Sequence, residues 1–297
     1  MKKLILLVAY AFSFFTLTAQ TVSYKVLAVK GENALEQSIT PNKFTPLMTG
    51  MKLQSKDKII LGDDAYLGLA SSSGKTIELR AKGIYNVSDL SGKFVADNSG
   101  LAQKYMEYIF SDITKKDGHA NNMSITGSVE RSVANIKVDV LSAPSSKILL
   151  MPTKINWLAK EGVAEVRVSV SNFFDEEIYG IETADNSHVI DFAALKLNPD
   201  EVYKLTVVKK GDSIESGESI ILKIPSVDER GTVTGMAGDS ESALQNMVSG
   251  AYLESNGFYL NSTEKFLKAA NKEPDVKDFT DSYKDYLNRI GSGKMEE

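Results

Sequence analysis

The sequence predicts a mainly β protein with a helical C-terminal region, in which two all-β modules are joined by a helix-containing connector. Three observations predict this. Between residues 23 and 90, and again between 135 and 224, apolar residues alternate with polar ones in short runs bounded by Gly, Asp, Asn and Ser, the period of strands joined by tight turns. From residue 244 onward the apolar residues recur at spacings of three and four, the period of a helix. Between the two β stretches lies a segment with helical spacing and then a polar run. The expected organisation is 1–19 signal peptide, 20–95 first β module, 96–134 helix and connector, 135–226 second β module, 227–240 linker and 241–297 helical tail.

Lys2 and Lys3 open the chain, and residues 4–19 form an apolar run without a charge. A basic start, a short apolar stretch and a small residue, Ala19, describe a secretory signal cut after Ala19 or Gln20. A membrane anchor fits less well, since spanning the hydrocarbon core takes roughly 20 apolar residues and Ser13, Thr16 and Thr18 interrupt this run. Lipid anchoring at the cleavage site needs a Cys, and the chain has none. The expected location is therefore periplasmic or secreted.

In the first module Ser23–Val29 ends at Lys30-Gly31, Lys58–Leu61 runs into the turn residues Gly62-Asp63-Asp64, and Ala65–Leu69 passes through Ser71–Gly74 to Lys75–Arg80. Val29 to Gly31, Leu47 with Gly50 and Leu53, Asp57 to Ile59, Asp63 to Leu69 and Gly74 to Leu79 together resemble a FecR-like periplasmic domain. The resemblance implies an envelope β domain. Full-length FecR regulators carry a cytoplasmic anti-sigma region and a membrane helix ahead of that domain, and this chain departs from them there.

Leu101, Tyr105, Ile109, Phe110 and Ile113 follow helical spacing, and 115–124 is polar. One amphipathic helix and a connector are expected, with the helix packed on the β module or over its open edge.

The second module alternates again at Ile136–Val140, Ala164–Val170, Tyr203–Val207 and Ile220–Ile224, a spacing that suggests an antiparallel sandwich. Trp157 stands where an early strand's core tryptophan would. Leu197, Pro199 and Tyr203 look like the entry to a later strand, with Tyr203 as a corner tyrosine. On these residues the segment resembles a fibronectin type III-like domain. Phe173-Phe174, just before Asp175-Glu176-Glu177, is expected to plug one end of the sandwich.

After residues 228–240, rich in Gly, Ser, Thr and Asp and expected to be a soft linker, two helices are predicted over Leu244–Glu254 and Asn261–Lys272, with Asn256-Gly257 between them and Pro274 after them. Gly250, Tyr259, Phe266 and Ala269 resemble the signature positions of one tetratricopeptide repeat, with Ser262 where Ala is usual. A third helix with Phe279, Tyr283, Leu287 and Ile290 on one face looks like its cap. A single repeat must lean on something. Tyr252, Phe258, Tyr259 and Phe266 are the candidate partner-binding residues, either lining a concave groove or forming the repeat's core.

Composition and motifs argue against most enzyme chemistry. The net charge of −5, which becomes −7 once the signal is removed, disfavours nucleic acid, whose phosphates require clustered Lys and Arg. With no Cys there are no disulfides, thiolates or sulfur-ligated metals. Gly74-Lys75-Thr76 leads into a strand rather than a phosphate-binding helix. Ser55-x-x-Lys58 and Ser262-x-x-Lys265 have no Lys-Thr-Gly companion. His119 and His188 lie in separate modules without metal-ligand spacing. Asp63-Asp64 and Asp175-Glu176-Glu177 read as solvated turn charges, with weak calcium binding as the other use of such clusters.

These observations point to a non-enzymatic envelope protein that binds another envelope protein or a cell-wall polymer, without a cofactor, metal or lipid anchor. A periplasmic signalling component related to FecR-type regulators is the alternative, and a hydrolase using scattered carboxylates is a third class.

Overall fold

A computed structural model describes residues 23–71, 75–93, 137–213, 217, 219–238 and 240–293. The expected signal peptide, the connector helix at 101–113 and His119 lie outside the described residues. The rest is mainly β with its helices concentrated at the C-terminus, as the alternation predicts.

The first module contains β1 (Ser23–Lys30), β2 (Asn33–Glu36), β3 (Phe44–Pro46), β4 (Lys52–Gln54), β5 (Lys58–Leu61), β6 (Tyr66–Ser71), β7 (Thr76–Leu79) and β8 (Gly83–Asn86), followed by a 3₁₀ helix over Val87–Lys93. They form two four-stranded sheets, β4-β1-β6-β7 and β3-β2-β5-β8. Val26, Leu35, Leu53, Ile59, Leu67 and Leu69 fill the space between them and are fully buried. β6 is buried on both faces. Leu67 and Leu69 enter this core, whereas Tyr66 and Ala70 point the other way, into a second core shared with the helices. A strand buried on both sides reads as a continuous apolar run, as Tyr66–Ala70 does.

The second module is a sandwich of β9 (Val138–Val140), β10 (Ser145–Lys147), β11 (Pro152–Ala159), β12 (Val166–Asn172), β13 (Glu177–Thr183), β14 (Ser187–Asp191), β15 (Val202–Lys209) and β16 (Ser219–Lys223). One sheet has the order β10-β16-β15-β12-β13 and the other β14-β11-β9. All pairs are antiparallel except β10 with β16. Trp157 on β11 is 2% exposed and sits in the core with Val168, Leu205 and Leu222. The Tyr203 hydroxyl reaches back along the chain and accepts the Asn198 N–H at 2.7 Å, tying the loop before β15 to the strand.

Four helices follow: α1 (Val227–Ala237), α2 (Ala243–Ser255), α3 (Tyr259–Lys272) and α4 (Lys277–Ile290). α1 corrects the expected linker over 227–240. Its first turn is capped by Ser226, whose hydroxyl accepts the Glu229 N–H at 3.3 Å. Asp228 and Glu229 favour the helix N-terminus electrostatically, Val233 is buried, and Lys147 pairs with Glu229. Gly and Thr composition alone hid these tertiary contacts. α2 and α3 cross closely at Gly250, where a Cβ would stand 3.0 Å from the Phe266 ring, and the Ser262 hydroxyl donates to the Gly250 carbonyl at 2.7 Å. α4 ends on Gly291 in the left-handed conformation, φ 72°, a common helix stop.

The helices are wedged between the two β modules rather than appended to them. Leu27, Ala28, Tyr66 and Ala70 from the first module and Ala143 and Leu149 from the second share one core with Leu244, Phe258, Phe266, Phe279 and Tyr286. Leu260 of α3 belongs to the core of the second sandwich. Gly68 on β6 lets α2 approach, since a Cβ there would stand 3.1 Å from the Leu244 side chain. Burying each large apolar side chain contributes on the order of 1.5–3 kcal/mol, so this shared core is the main tie between the modules.

Polar ties flank the shared core. On the first module, Asp278 accepts from the Val29 N–H at 3.0 Å and the Thr49 hydroxyl at 2.9 Å. Glu78 accepts from the Ser242 hydroxyl at 2.7 Å and the Leu244 N–H at 2.9 Å, so a strand carboxylate satisfies the free N-terminus of α2. On the second module, the Thr263 hydroxyl donates to the Leu141 carbonyl at 2.5 Å. Asp139 there accepts from Ser292 at 2.9 Å and the Gly293 N–H at 2.7 Å.

Candidate binding surfaces

The expected groove residues face inward. Phe258 is 0% exposed, Phe266 2% and Tyr252 6%, and Tyr259 is half-buried. The Phe266 ring stacks on Tyr286 at 4.8 Å, and the Tyr286 hydroxyl donates to the Tyr259 carbonyl at 2.7 Å. Tyr252, Phe258 and Phe266 belong to the core that the helices share with both β modules, and Tyr259 packs against it. The other use of them, as the repeat's core, is the one their burial fits.

The reverse holds for Phe173 and Phe174. Expected to plug the sandwich, they project from the β12–β13 turn at 68% and 81% exposure. The turn dictates this. The Asn172 side-chain carbonyl accepts the backbone N–H of Phe174 at 2.9 Å and of Glu176 at 3.0 Å, and its amide donates to the Glu176 carboxylate at 2.7 Å. Asp175 takes the left-handed conformation, φ 66°, and pairs with Lys204 at 2.6 Å. The two rings meet edge to face at 5.9 Å, and the Lys204 ammonium lies 5.8 Å from the Phe173 centroid. The result is a braced tip carrying two exposed aromatics.

A second apolar surface crosses the first module. On the solvent side of β3-β2-β5-β8, Pro46, Ala34, Ile60 and Ile84 align across all four strands, with Phe44 in the adjoining row opposite Glu36. Ile84 is 71% exposed and Phe44 57%. Neither was legible in the sequence, because β3 and β8 are short. The signal that could have found them is the alternation of Gly83–Asn86, where Ile84 and Tyr85 take opposite faces.

At the opposite end of β12, a cavity of about 320 Å³ is lined by Trp157, Val163, Val166, Thr183, Asp185 and Asn186. Thr183, Asp185 and Asn186 supply the polar half of these residues, and Trp157, Val163 and Val166 the apolar half.

The motifs weighed for chemistry take structural positions. Ser262 is buried against Gly250, and Lys265, also buried, donates to the Gly238 carbonyl at 2.6 Å. Lys58 pairs with Glu36 at 3.4 Å. His188 lies 2.6 Å from the Tyr179 hydroxyl through Nε2. Lys75 and Thr76 lead directly into β7. Asp63 pairs with Lys82 at 2.6 Å, and Glu177 with Arg167 at 2.7 Å. Among the described residues no group of three or more His, Asp or Glu is placed to hold a metal ion, and no helix is long and apolar enough to cross a membrane.

No protein-family model matches the chain. It is similar to Endonuclease MutS2 of Clostridium botulinum strain Eklund 17B at 22% identity and to that of strain Alaska E43 at 21%, each over 276 residues. Each alignment takes in 89% of this chain and 34% of the relative, so the chain spans about a third of the length of the curated relatives it matches. At that identity and coverage the likeness does not assign this chain to their family.

Proposed function

We propose that this chain is an exported, non-enzymatic envelope protein that works as an interaction module, holding an envelope protein or a cell-wall polymer through apolar side chains displayed on rigid β elements. The observation that carries this reading is the braced tip with Phe173 and Phe174 at 68% and 81% exposure. A turn that fixes two adjacent phenylalanines in water spends stability on a feature that a partner would cover. Export rests on the sequence of residues 1–19.

The module resemblances support the same reading. The FecR-like pattern falls on β1 and β4–β7. Trp157 in the core and the Tyr203–Asn198 hydrogen bond suit a fibronectin type III-like sandwich. Gly250, Phe266 and Ala269 at the α2–α3 crossing suit a tetratricopeptide-like pair capped by α4. The net charge of −5 speaks against a nucleic-acid partner.

The test is capture of envelope proteins and sedimentation with purified cell wall, comparing the chain with a Phe173→Ser/Phe174→Ser variant. Binding that the double substitution abolishes, with the circular dichroism spectrum unchanged, is the expected result. Equal binding by both proteins would sink the role of the tip. A signalling role related to FecR-type regulators is the second reading, and it requires a membrane partner among the captured proteins.

A further inference from the structure

The two exposed apolar surfaces differ in charge. In the tip turn, 172–177, Asp175 pairs with Lys204 and Glu177 with Arg167, which leaves Glu176 as the acid without a basic side chain beside it, and Asp200 and Glu201 precede the neighbouring strand β15. The second module as a whole, residues 137–224, has fourteen acidic and ten basic residues, a net charge of −4. The sheet face lies in a module of opposite sign, since residues 23–93 have ten Lys and Arg against seven Asp and Glu, a net charge of +3. Exposed Lys43, Lys56 and Lys58 flank the face, with Ile39, 78% exposed, at the β2–β3 turn beside them. Ile84 at 71% and Phe44 at 57% exposure leave this face open among the described residues.

We propose that the Phe173–Phe174 tip of one copy docks on the lysine-flanked outer face of β3-β2-β5-β8 in a second copy, so that the chain associates head to tail. This inference rests on the interaction-module reading and names its partner. Two aromatic rings cover the row Pro46–Ala34–Ile60–Ile84, and Glu176, Asp200 and Glu201 come opposite Lys43 and Lys56, while Lys58 keeps its pair with Glu36. Opposite charges at the rim steer encounter and fix orientation. The two surfaces are different patches, so the contact is heterologous. Each added copy presents a fresh tip and a fresh face, and the assembly closes into a ring or extends as a row.

Sedimentation velocity tests this on the full-length chain, purified as cells process it. The probes are the wild type, a tip variant (Phe173→Ser/Phe174→Ser) and a face variant (Phe44→Asp/Ile84→Asp). All four substituted side chains are exposed, so folding is retained and is checked by circular dichroism. The wild type is expected to gain mass with concentration beyond a dimer, and each variant alone to stay monomeric. An equimolar mixture of the two variants keeps one working tip and one working face, and is expected to stop at a one-to-one dimer. A wild type that stays monomeric at all concentrations overturns the proposal, as does a mixture that stays monomeric. So does a thiol at an Ile84→Cys position that is shielded from reagent in the monomer, because the face is then covered by the chain itself. Monomeric wild type that still captures an envelope protein or wall polymer through its tip defeats the self-association alone. Loss of both defeats the interaction-module reading too.

Discussion

Replacing Phe279 with Ala probes the wedge of helices between the β modules. Phe279 is fully buried, and its ring meets Tyr66 of β6 edge to face at 5.7 Å. Truncating a buried Phe to Ala costs about 3–5 kcal/mol through lost transfer energy and the cavity left behind. With a urea dependence of about 3 kcal/mol per molar, the midpoint falls by roughly 1–1.7 M. Trp157, the single tryptophan, lies in the second sandwich, whereas Phe279 touches the first. Its fluorescence therefore reports whether the loss is felt across the shared core. The account predicts that the tryptophan midpoint falls by the same amount as the far-ultraviolet dichroism midpoint. A tryptophan transition left in place, with helix signal lost at lower urea, would show that the tail is an independent arm and refute the shared core.

Other perturbations follow from the same contacts. Burial pushes the Glu78 carboxyl up, but the Arg80 guanidinium, the Leu244 N–H and the Ser242 hydroxyl outweigh it and hold the group below the ordinary glutamate range. Its contribution is thus complete above about pH 5 and fades as pH falls through the unfolded value of about 4.3 toward the lower folded one. Stability measured against pH should flatten in that window for Glu78→Gln, and an unchanged slope would count against the cap. Gly250→Ala forces a Cβ toward the Phe266 ring and is expected to lower stability by about 1–3 kcal/mol, read by chemical denaturation. Tyr203→Phe removes the hydroxyl that accepts the Asn198 N–H, and should cost about 0.5–1.5 kcal/mol while leaving the tip's binding intact.

The class of each region was legible because period-two and helical alternation survive without tertiary information. Lys58–Leu61 and Leu244–Glu254 match β5 and α2 almost residue for residue. Short edge strands such as β3 and β8 span too few residues to show a period, and the apolar row they carry stayed hidden with them. Tyr286, fully buried, stands seven residues after Phe279 and four before Ile290, so helical spacing alone already places it on the face of Phe279, Tyr283 and Ile290. Its ring stacks on Phe266 of α3 and its hydroxyl reaches the Tyr259 carbonyl. The aromatic positions were not decided by the sequence, and the reason is the same for both groups. Burial of Phe258 and Phe266 depends on β modules distant in sequence, and exposure of Phe173 and Phe174 depends on a side-chain-braced turn.

The most direct test of the interaction-module account places a photo-cross-linking residue at position 174 in living cells, with position 161, an exposed turn residue in the same sandwich, as the control. The account predicts adducts from position 174 and none from position 161. Equal yields at both positions, or none at either, would contradict it.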